Sequence, residues 1–364
     1  MRCNSDGTAE VSESCTLGCN ATQVRCNDID PSNGLGQYLD VTSGEPDFDL
    51  GTAATINTDN GTVMVDGKPV AMRSALVAQT SAPTILVFIV HSLTAADVTI
   101  TGDNAFAVVS SSDIKLGGVF AASAHGSMPG PGRYNDGTCR GGEADTAVGQ
   151  ALGGAGGGGF GAAGGRGGTA TNDNGTSAGG AGGTSTGNAN LVPLRGGCDG
   201  GELGTIAGTG GGAMQLVSRT KITVSGVVAA NGSSFIGGGS GGGILLEAPI
   251  VEASGSVVAN GGGGASGCLL PMPGEDGRLD AAPATGGLAC GNNNGLAGVN
   301  GGAGNSGAGN GAGSSRTGEG AVVVVFAGHG GGGVGRIRVN TTPGGFHRAG
   351  LFSPNPSTGA LATR

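Results

Sequence analysis

Short runs in which apolar residues either alternate with polar ones or fill five or six consecutive positions recur along this chain. Residues 97–101 (DVTIT) and 221–224 (KITV) alternate, whereas 85–90 (ILVFIV) and 321–326 (AVVVVF) are continuously apolar. Both patterns describe strands, half-buried in the first case and buried on two faces in the second. Residues 55–67 (TINTDNGTVMVDG) read as two strands about an Asp59-Asn60-Gly61 turn. No stretch has the spacing of an amphipathic helix.

The strands belong to a larger unit. Residues 108–123 (VVSSSDIKLGGVFAAS) align without a gap on 216–231 (LVSRTKITVSGVVAAN). A copy shorter by one residue follows at 246–260 (LEAPIVEASGSVVAN), and GRIRVN at 335–340 matches the opening strand. Side chains two apart on a strand share a face, so Ile222 pairs with Val224 and Ile114 with Leu116. Gly118, Gly226 and Gly255 fall where the chain turns, at positions where glycine is free to take a positive φ. The second and third copies start about 30 residues apart, too close for a crossover helix and long enough for one three-strand coil of a parallel solenoid. An antiparallel β-sandwich is the competing arrangement. The expectation is an all-β chain, a short parallel β-helix (solenoid). Residues 28–75 would cap one end, and AVVVVF, GRIRVN and 346–364 would complete the other.

Two insertions interrupt this frame, at about 127–211 and 261–320. Residues 141–200 hold 23 glycines, in a chain with 84 among 364 residues. Collagen is excluded by the absence of a Gly-X-Y period and by only 14 prolines. Glycine loses more backbone entropy on ordering than any other residue, so the expectation is long glycine-rich loops. Glycine-rich extended helices packed side by side are the alternative; strict periodicity would favour them, and none is read from the sequence.

Eight cysteines bear on compartment. Cys3, Cys15, Cys19 and Cys26 form an N-terminal cluster over residues 1–27, ahead of a body over 28–364. Their C-x11-C-x3-C-x6-C spacing lacks the C-x2-C knuckles of a zinc site, so disulfides are expected, with no pairing legible among these four. Cys139 and Cys198 bracket the first insertion while Cys268 and Cys290 lie in the second, which suggests the bonds Cys139–Cys198 and Cys268–Cys290. Disulfides imply export to the cell surface or beyond. Residues 1–30 show no apolar signal segment, and the expectation is that the natural start lies upstream.

A net charge of −9 disfavours nucleic acid and anionic membranes, and no apolar run approaches the roughly 20 residues that span a bilayer. Motif matches are products of glycine abundance. Gly238-Gly239-Ser240-Gly241-Gly242 fits G-x-S-x-G without a strand-to-helix elbow, and reads as a Gly/Ser linker. Asp28 to Gly34 begins like a calcium loop, yet its glycine comes one position late and position twelve is Leu39, so it reads as a turn. His91, His125, His329 and His347 have no metal-ligand spacing and read as surface or loop residues. No metal or cofactor is expected. Asp113, Lys115, Arg219, Lys221, Glu247 and Glu252 are placed on the exposed face of the repeats, where mixed charge is ordinary. Phe160, Phe235 and Phe346 read as isolated plugs rather than a sugar-stacking row.

The segments GGGAMQLVSRTKITVSGVVAANG, GGGILLEAPIVEASGSVVANGGGG, CNDIDPSNGL, LVPLRGGCDGG and GGGGVGRIRVN together resemble glycine-rich secreted proteins of myxobacteria and related soil bacteria. The resemblance covers most of residues 15–345. It implies a surface or secreted protein of β-helical type, with no assigned activity and no catalytic residue to carry over. The chain departs from that pattern at its start, where a signal and the first cysteines are missing. The expected role is structural or adhesive, presenting glycine-rich loops to extracellular glycans or matrix. A carbohydrate-active β-helix enzyme, a polysaccharide lyase or glycoside hydrolase, is the alternative.

Overall fold

The computed structural model describes residues 15–20, 25–145, 148–289, 308–316 and 324–364. The chain is nearly all β, with three large, mostly parallel sheets. The first runs in the order Leu351–Ser353, Ser256–Val258, Val227–Ala229, Val119–Ala121, Val98–Thr101, Ala54–Asn57, Thr62–Val65 and Lys68–Val70. The second runs Ser357–Ala360, Arg336–Thr341, Gly243–Glu247, Ala213–Ser218, Ala105–Ser110, Ile85–Val90 and Ser74–Val77. The third, parallel throughout, runs Phe346–Arg348, Ile250–Ala253, Lys221–Val224, Ile114–Leu116, Ser92–Ala95 and Asp47–Asp49. From Ile85 onward, successive strands of these sheets therefore enter different sheets, and the chain returns to each sheet one strand further along. Antiparallel pairing in these sheets is confined to one edge, at the hairpins of 54–70 and the strand Ser74–Val77.

Register follows side-chain chemistry. Val108 pairs with Leu216, Leu216 with Leu246, and Leu246 with Val339. Ile114, Ile222 and Val251 align in the third sheet, and Phe120, Val228 and Val257 in the first. These rows belong to a single buried cluster fed by all three sheets, in which Phe88, Phe106 and Phe120 pack ring to ring. Because strand side chains alternate, the second sheet also has an outer apolar face, Ile85, Val87, Ala107, Val217 and Leu245. Ile29, Leu35, Leu39 and Phe160 cover it and form a second buried cluster. That double burial explains why 85–90 is apolar at every position.

A polar ladder runs beside the core. Asn231 donates its backbone N–H to Ser123 Oγ (2.9 Å), its side-chain oxygen accepts the Asn260 N–H (2.8 Å), and Ser353 Oγ donates to the Asn260 side chain (2.6 Å). The turn glycines have a different cause from the one expected. Gly118, Gly226 and Gly255 do not have positive φ. They stack instead: a Cβ on Gly226 would overlap the carbonyl oxygen of Gly118, and one on Gly255 that of Gly226. Close backbone approach at a stacked corner selects glycine there.

The described glycine-rich insertion segments are not free loops, which corrects the sequence expectation. Residues 153–160 are buried at every position. Their amides go out to three neighbouring segments in rotation. Gly156 donates to Gly142 O (2.8 Å), Gly157 to Gly165 O (2.8 Å) and Gly158 to Gly238 O (2.9 Å). Gly159 then returns to Cys139 O (2.8 Å), while Gly154 donates to Gly168 O (2.8 Å). Two of these neighbours recur after three residues, 139–142 at Gly156 and Gly159 and 165–168 at Gly154 and Gly157, the repeat of a threefold extended helix. The carbonyls of 154–158 accept in turn from Gly180, Gly330, Gly201, Gly183 and Gly333. A backbone so enclosed leaves room for little more than the buried methyl group of Ala155, and hydrogen bonds to neighbouring segments replace the internal bonds that such a helix lacks. Ser240, read from sequence as part of a linker, is fully buried and accepts the Cys198 N–H (2.8 Å).

The ends also differ in part. Residues 28–30 bond to the C-terminal residues, with Asp28 N to Arg364 O at 3.0 Å and Asp30 N to Ala362 O at 2.9 Å. Residues 29–39 therefore cover the outer face of the second sheet. Of AVVVVF, residues 321–323 lie outside the described residues. Val325–Phe326 pairs with Ala151–Leu152 in the glycine-rich region, not with the three sheets.

Candidate functional site

The six charged residues placed on the repeat face separate into two groups. On the third sheet, the outward row runs Asp49, Thr94, Lys115, Thr223, Glu252 and His347 across neighbouring strands. Lys221 Nζ lies 3.3 Å from Glu252, and Lys115 Nζ 3.8 Å from Asp113. Asp49 and Glu252 are four strands apart, about 19 Å at ~4.8 Å per strand, too far for the paired carboxylates of a glycosidase, which lie roughly 5–10 Å apart.

Glu247 and Arg219 are not on that face, contrary to expectation. Both sit on the outer side of the second sheet beneath residues 28–40. Glu247 is buried and accepts from Ser32 Oγ (2.8 Å), Ser32 N (3.1 Å), Gln215 Nε2 (2.6 Å) and Asn340 Nδ2 (2.9 Å). Four donors satisfy the buried carboxylate and pin the 28–40 segment. Arg219 grips Asp28 with two hydrogen bonds (3.0 and 2.6 Å), so the carboxylate that opened the calcium-like motif is engaged by a cation.

One polar cleft was not legible in the sequence. It measures about 390 Å³ and is lined by Arg133, Asn135, Arg140, Asp199 and Glu202. Cys139 and Cys198 form a disulfide beside it, with Cα atoms 5.8 Å apart. The bond places Arg140 and Asp199, the residues that follow the two cysteines, at one site. Asp199 accepts from Arg133, from Asn135 Nδ2 (2.6 Å) and, through its other oxygen, from the Gly210 N–H (2.8 Å). Arg140 pairs with Glu202. Each carboxylate is thus held by its own arginine, an arrangement that latches the walls of the cleft together.

The histidines divide as well. His91 Nδ1 lies 2.6 Å from Asp47 Oδ1, and Ser92 Oγ donates to the same oxygen (2.5 Å), so the serine faces the acid rather than the imidazole. The Ser92 and His91 hydrogen bonds lower the Asp47 pKa. His125 Nδ1 lies 2.6 Å from Asp276. His347 is exposed. His329 corrects the surface reading: it is buried, its Nδ1 accepts the Ala155 N–H (2.9 Å), and burial lowers its pKa to about 4. It is a neutral acceptor inside the glycine-rich packing.

Among the described residues, no group of three or more His, Cys, Asp or Glu side chains is placed to hold a metal ion. No described helix is long and apolar enough to cross a membrane. Cys15 is bonded to Cys26, with Cys19 Sγ 3.5 Å from Cys15 Sγ. Cys268 is disulfide-bonded; Cys3 and Cys290 lie outside the described residues. Phe160 is buried, while Phe235 and Phe346 are half-buried in separate places.

Large apolar side chains are exposed together in one sequence segment: Leu269 (79%), Leu270 (83%) and Leu288 (72%), with Met272 and Leu279 between them. The segment opens at the disulfide-bonded Cys268, and Asp276 and Arg278 return it to the ordered frame. Ser234 N donates to Asp276 (2.7 Å), and the Arg278 carbonyl accepts from Asn260 Nδ2 (2.8 Å). No protein-family model, curated protein or solved structure matches this chain significantly.

Proposed function

We propose that this is a non-enzymatic protein of the cell exterior, structural or adhesive in role. In this reading a three-sheet parallel β-solenoid carries a hydrogen-bonded glycine bundle, and the bundle holds surface loops in place. The rotation of strands among three sheets and the single core they share support the solenoid. Disulfides at Cys15–Cys26 and Cys139–Cys198 support an oxidising compartment. The likeness to glycine-rich secreted proteins of soil bacteria agrees with both.

The observation that carries the adhesive role is the 269–288 segment. Exposing this much leucine to water is unfavourable, and its concentration in one segment fits a place of contact. Here it is mounted on an ordered base.

The enzymatic alternative rests on the cleft with Asp199 and Glu202. Glycoside cleavage needs two carboxyl groups free to flank one scissile bond, and here Arg133 engages Asp199 and Arg140 engages Glu202.

An array of extracellular glycans and matrix polymers tests the proposal. Saturable binding, weakened when Leu269 and Leu270 become serine and unaccompanied by new reducing ends or unsaturated products, is the expected result. Polysaccharide cleavage abolished by Asp199→Asn would overturn it.

A further inference from the structure

A second, smaller cleft of about 170 Å³ opens where the glycine-rich region meets the C-terminal strands, and its lining includes Gly161, Ala189, Arg336, Asn355 and Ser357. No carboxylate lines it. Arg336 donates through Nε and Nη2 to the backbone carbonyls of Thr186 (3.2 and 2.9 Å) and Phe160 (3.3 Å). Neutral carbonyls satisfy its geometry without cancelling its charge.

A second guanidinium lies close by. Arg195 is buried, stacks over Tyr134 (4.6 Å to the ring centroid), and shares the Phe160 ring with Arg336 (5.7 and 5.5 Å). Asp136, 3.6 Å from Arg195, is the only carboxylate paired with either arginine among the described residues. Arg348 adds a further cation, donating to Asn355 on the cleft wall (3.0 Å). Burial and the Arg195 charge together lower the Arg336 pKa, as expected for a cation short of a counter-charge.

We propose that this cleft binds a single oxyanion group, a carboxylate, sulfate or phosphate, with Arg336 as its principal ligand. Two semi-buried guanidiniums against one carboxylate leave a net positive charge at low dielectric, and a planar guanidinium suits an oxyanion better than a point cation would. The site stands apart from the apolar segment 269–288, so it does not depend on the adhesive reading.

Nitrogen-15-labelled arginine makes the test direct. The Arg336 Nε–H resonance, assigned with Arg336→Lys, is followed in the full chain during titration with sulfate, inorganic phosphate and methyl glucuronide at ionic strength held constant with chloride. The expected result is a saturable shift for at least one oxyanion and at least tenfold weaker binding in Arg336→Gln. Preference for methyl glucuronide assigns the site to acidic saccharides, and preference for sulfate or phosphate to the free inorganic ions. If Arg336→Gln fails to fold, Arg336→Lys serves in its place, with weaker binding expected from loss of the fork. A wild-type response no different from chloride, or unchanged affinity in a folded variant, overturns the proposal.

Discussion

Gly157 lies so close to the backbone of Gly331 that a Cβ on Gly157 would overlap the Gly331 carbonyl oxygen. The two belong to neighbouring extended segments of the glycine-rich region, and their contact explains why the chain spends glycine so freely there. A contact this close between bare backbones tolerates no methyl group, and the lost conformational entropy is offset by amides that find acceptors in neighbouring segments.

Gly157→Ala is therefore expected to destabilise the fold by about 3 kcal/mol, in the range for overpacking against an unyielding neighbour. Gly137→Ala is the control, since nothing lies within 4 Å of the place its methyl group would occupy and its φ is not positive. Chemical denaturation should place the control at the wild-type midpoint. Equal stability of the two variants would remove the packing explanation.

The Cys139–Cys198 bond closes a loop across a sequence separation of 59. Replacing both cysteines with serine should cost roughly 4 kcal/mol on chain-entropy grounds and should loosen the Asp199 cleft. Calorimetry of the double variant measures the first effect. Hydrogen exchange at Gly210, whose amide donates to Asp199, reports the second.

His329 supplies a pH dependence. Its folded pKa, about 4, lies below the ordinary 6.5, so the unfolded chain binds a proton through a pH window in which the folded protein does not. Its contribution is complete above about pH 6.5 and is lost as the pH falls to 4, on the order of 3 kcal/mol in all. Comparing His329→Gln with wild type at pH 7 and pH 4.5 tests this. The stability difference between the two pH values should shrink in the variant; an unchanged difference would assign the acid sensitivity elsewhere.

Glu247 holds the 28–40 segment against the second sheet through four donors. Glu247→Ala leaves those donors unsatisfied and should cost about 2–3 kcal/mol, with increased proteolysis between residues 28 and 40. Glu247→Gln keeps the shape but turns an NH2 group toward other donors, so it should recover only part of the loss. Full recovery would show that the charge is dispensable.

Much of the β frame was legible because one-in, one-out alternation reports burial residue by residue. Ile222 and Val224 face the core, and Lys221 does not. Glu247 misled because alternation tells which face a side chain takes, not what later covers that face, and the cover comes from residues 29–39. The cleft around Asp199 was hidden for a related reason: two cysteines 59 positions apart bring its residues together. The glycine region had a signal of its own. Ala163, Arg166 and Thr169 are each separated by two glycines, as are Ala178, Ala181 and Thr184. Ala163, Arg166, Thr169, Ala181 and Thr184 are exposed, while Ala178 is half-buried. Segments at the rim of the packing write the threefold repeat into their side chains. The enclosed segment 153–159, bonded on every side, is glycine at six of its seven positions and so displays no period.

The central claim is that the glycine-rich region is an ordered, hydrogen-bonded structure and not a set of loops. Hydrogen exchange at the amides of Gly154, Gly156, Gly157, Gly158 and Gly159 measures this most directly. The account predicts that they exchange slowly, on the timescale of the core strand Ala213–Ser218, with Gly137 fast. Exchange of all five at the rate of an unstructured chain would contradict it.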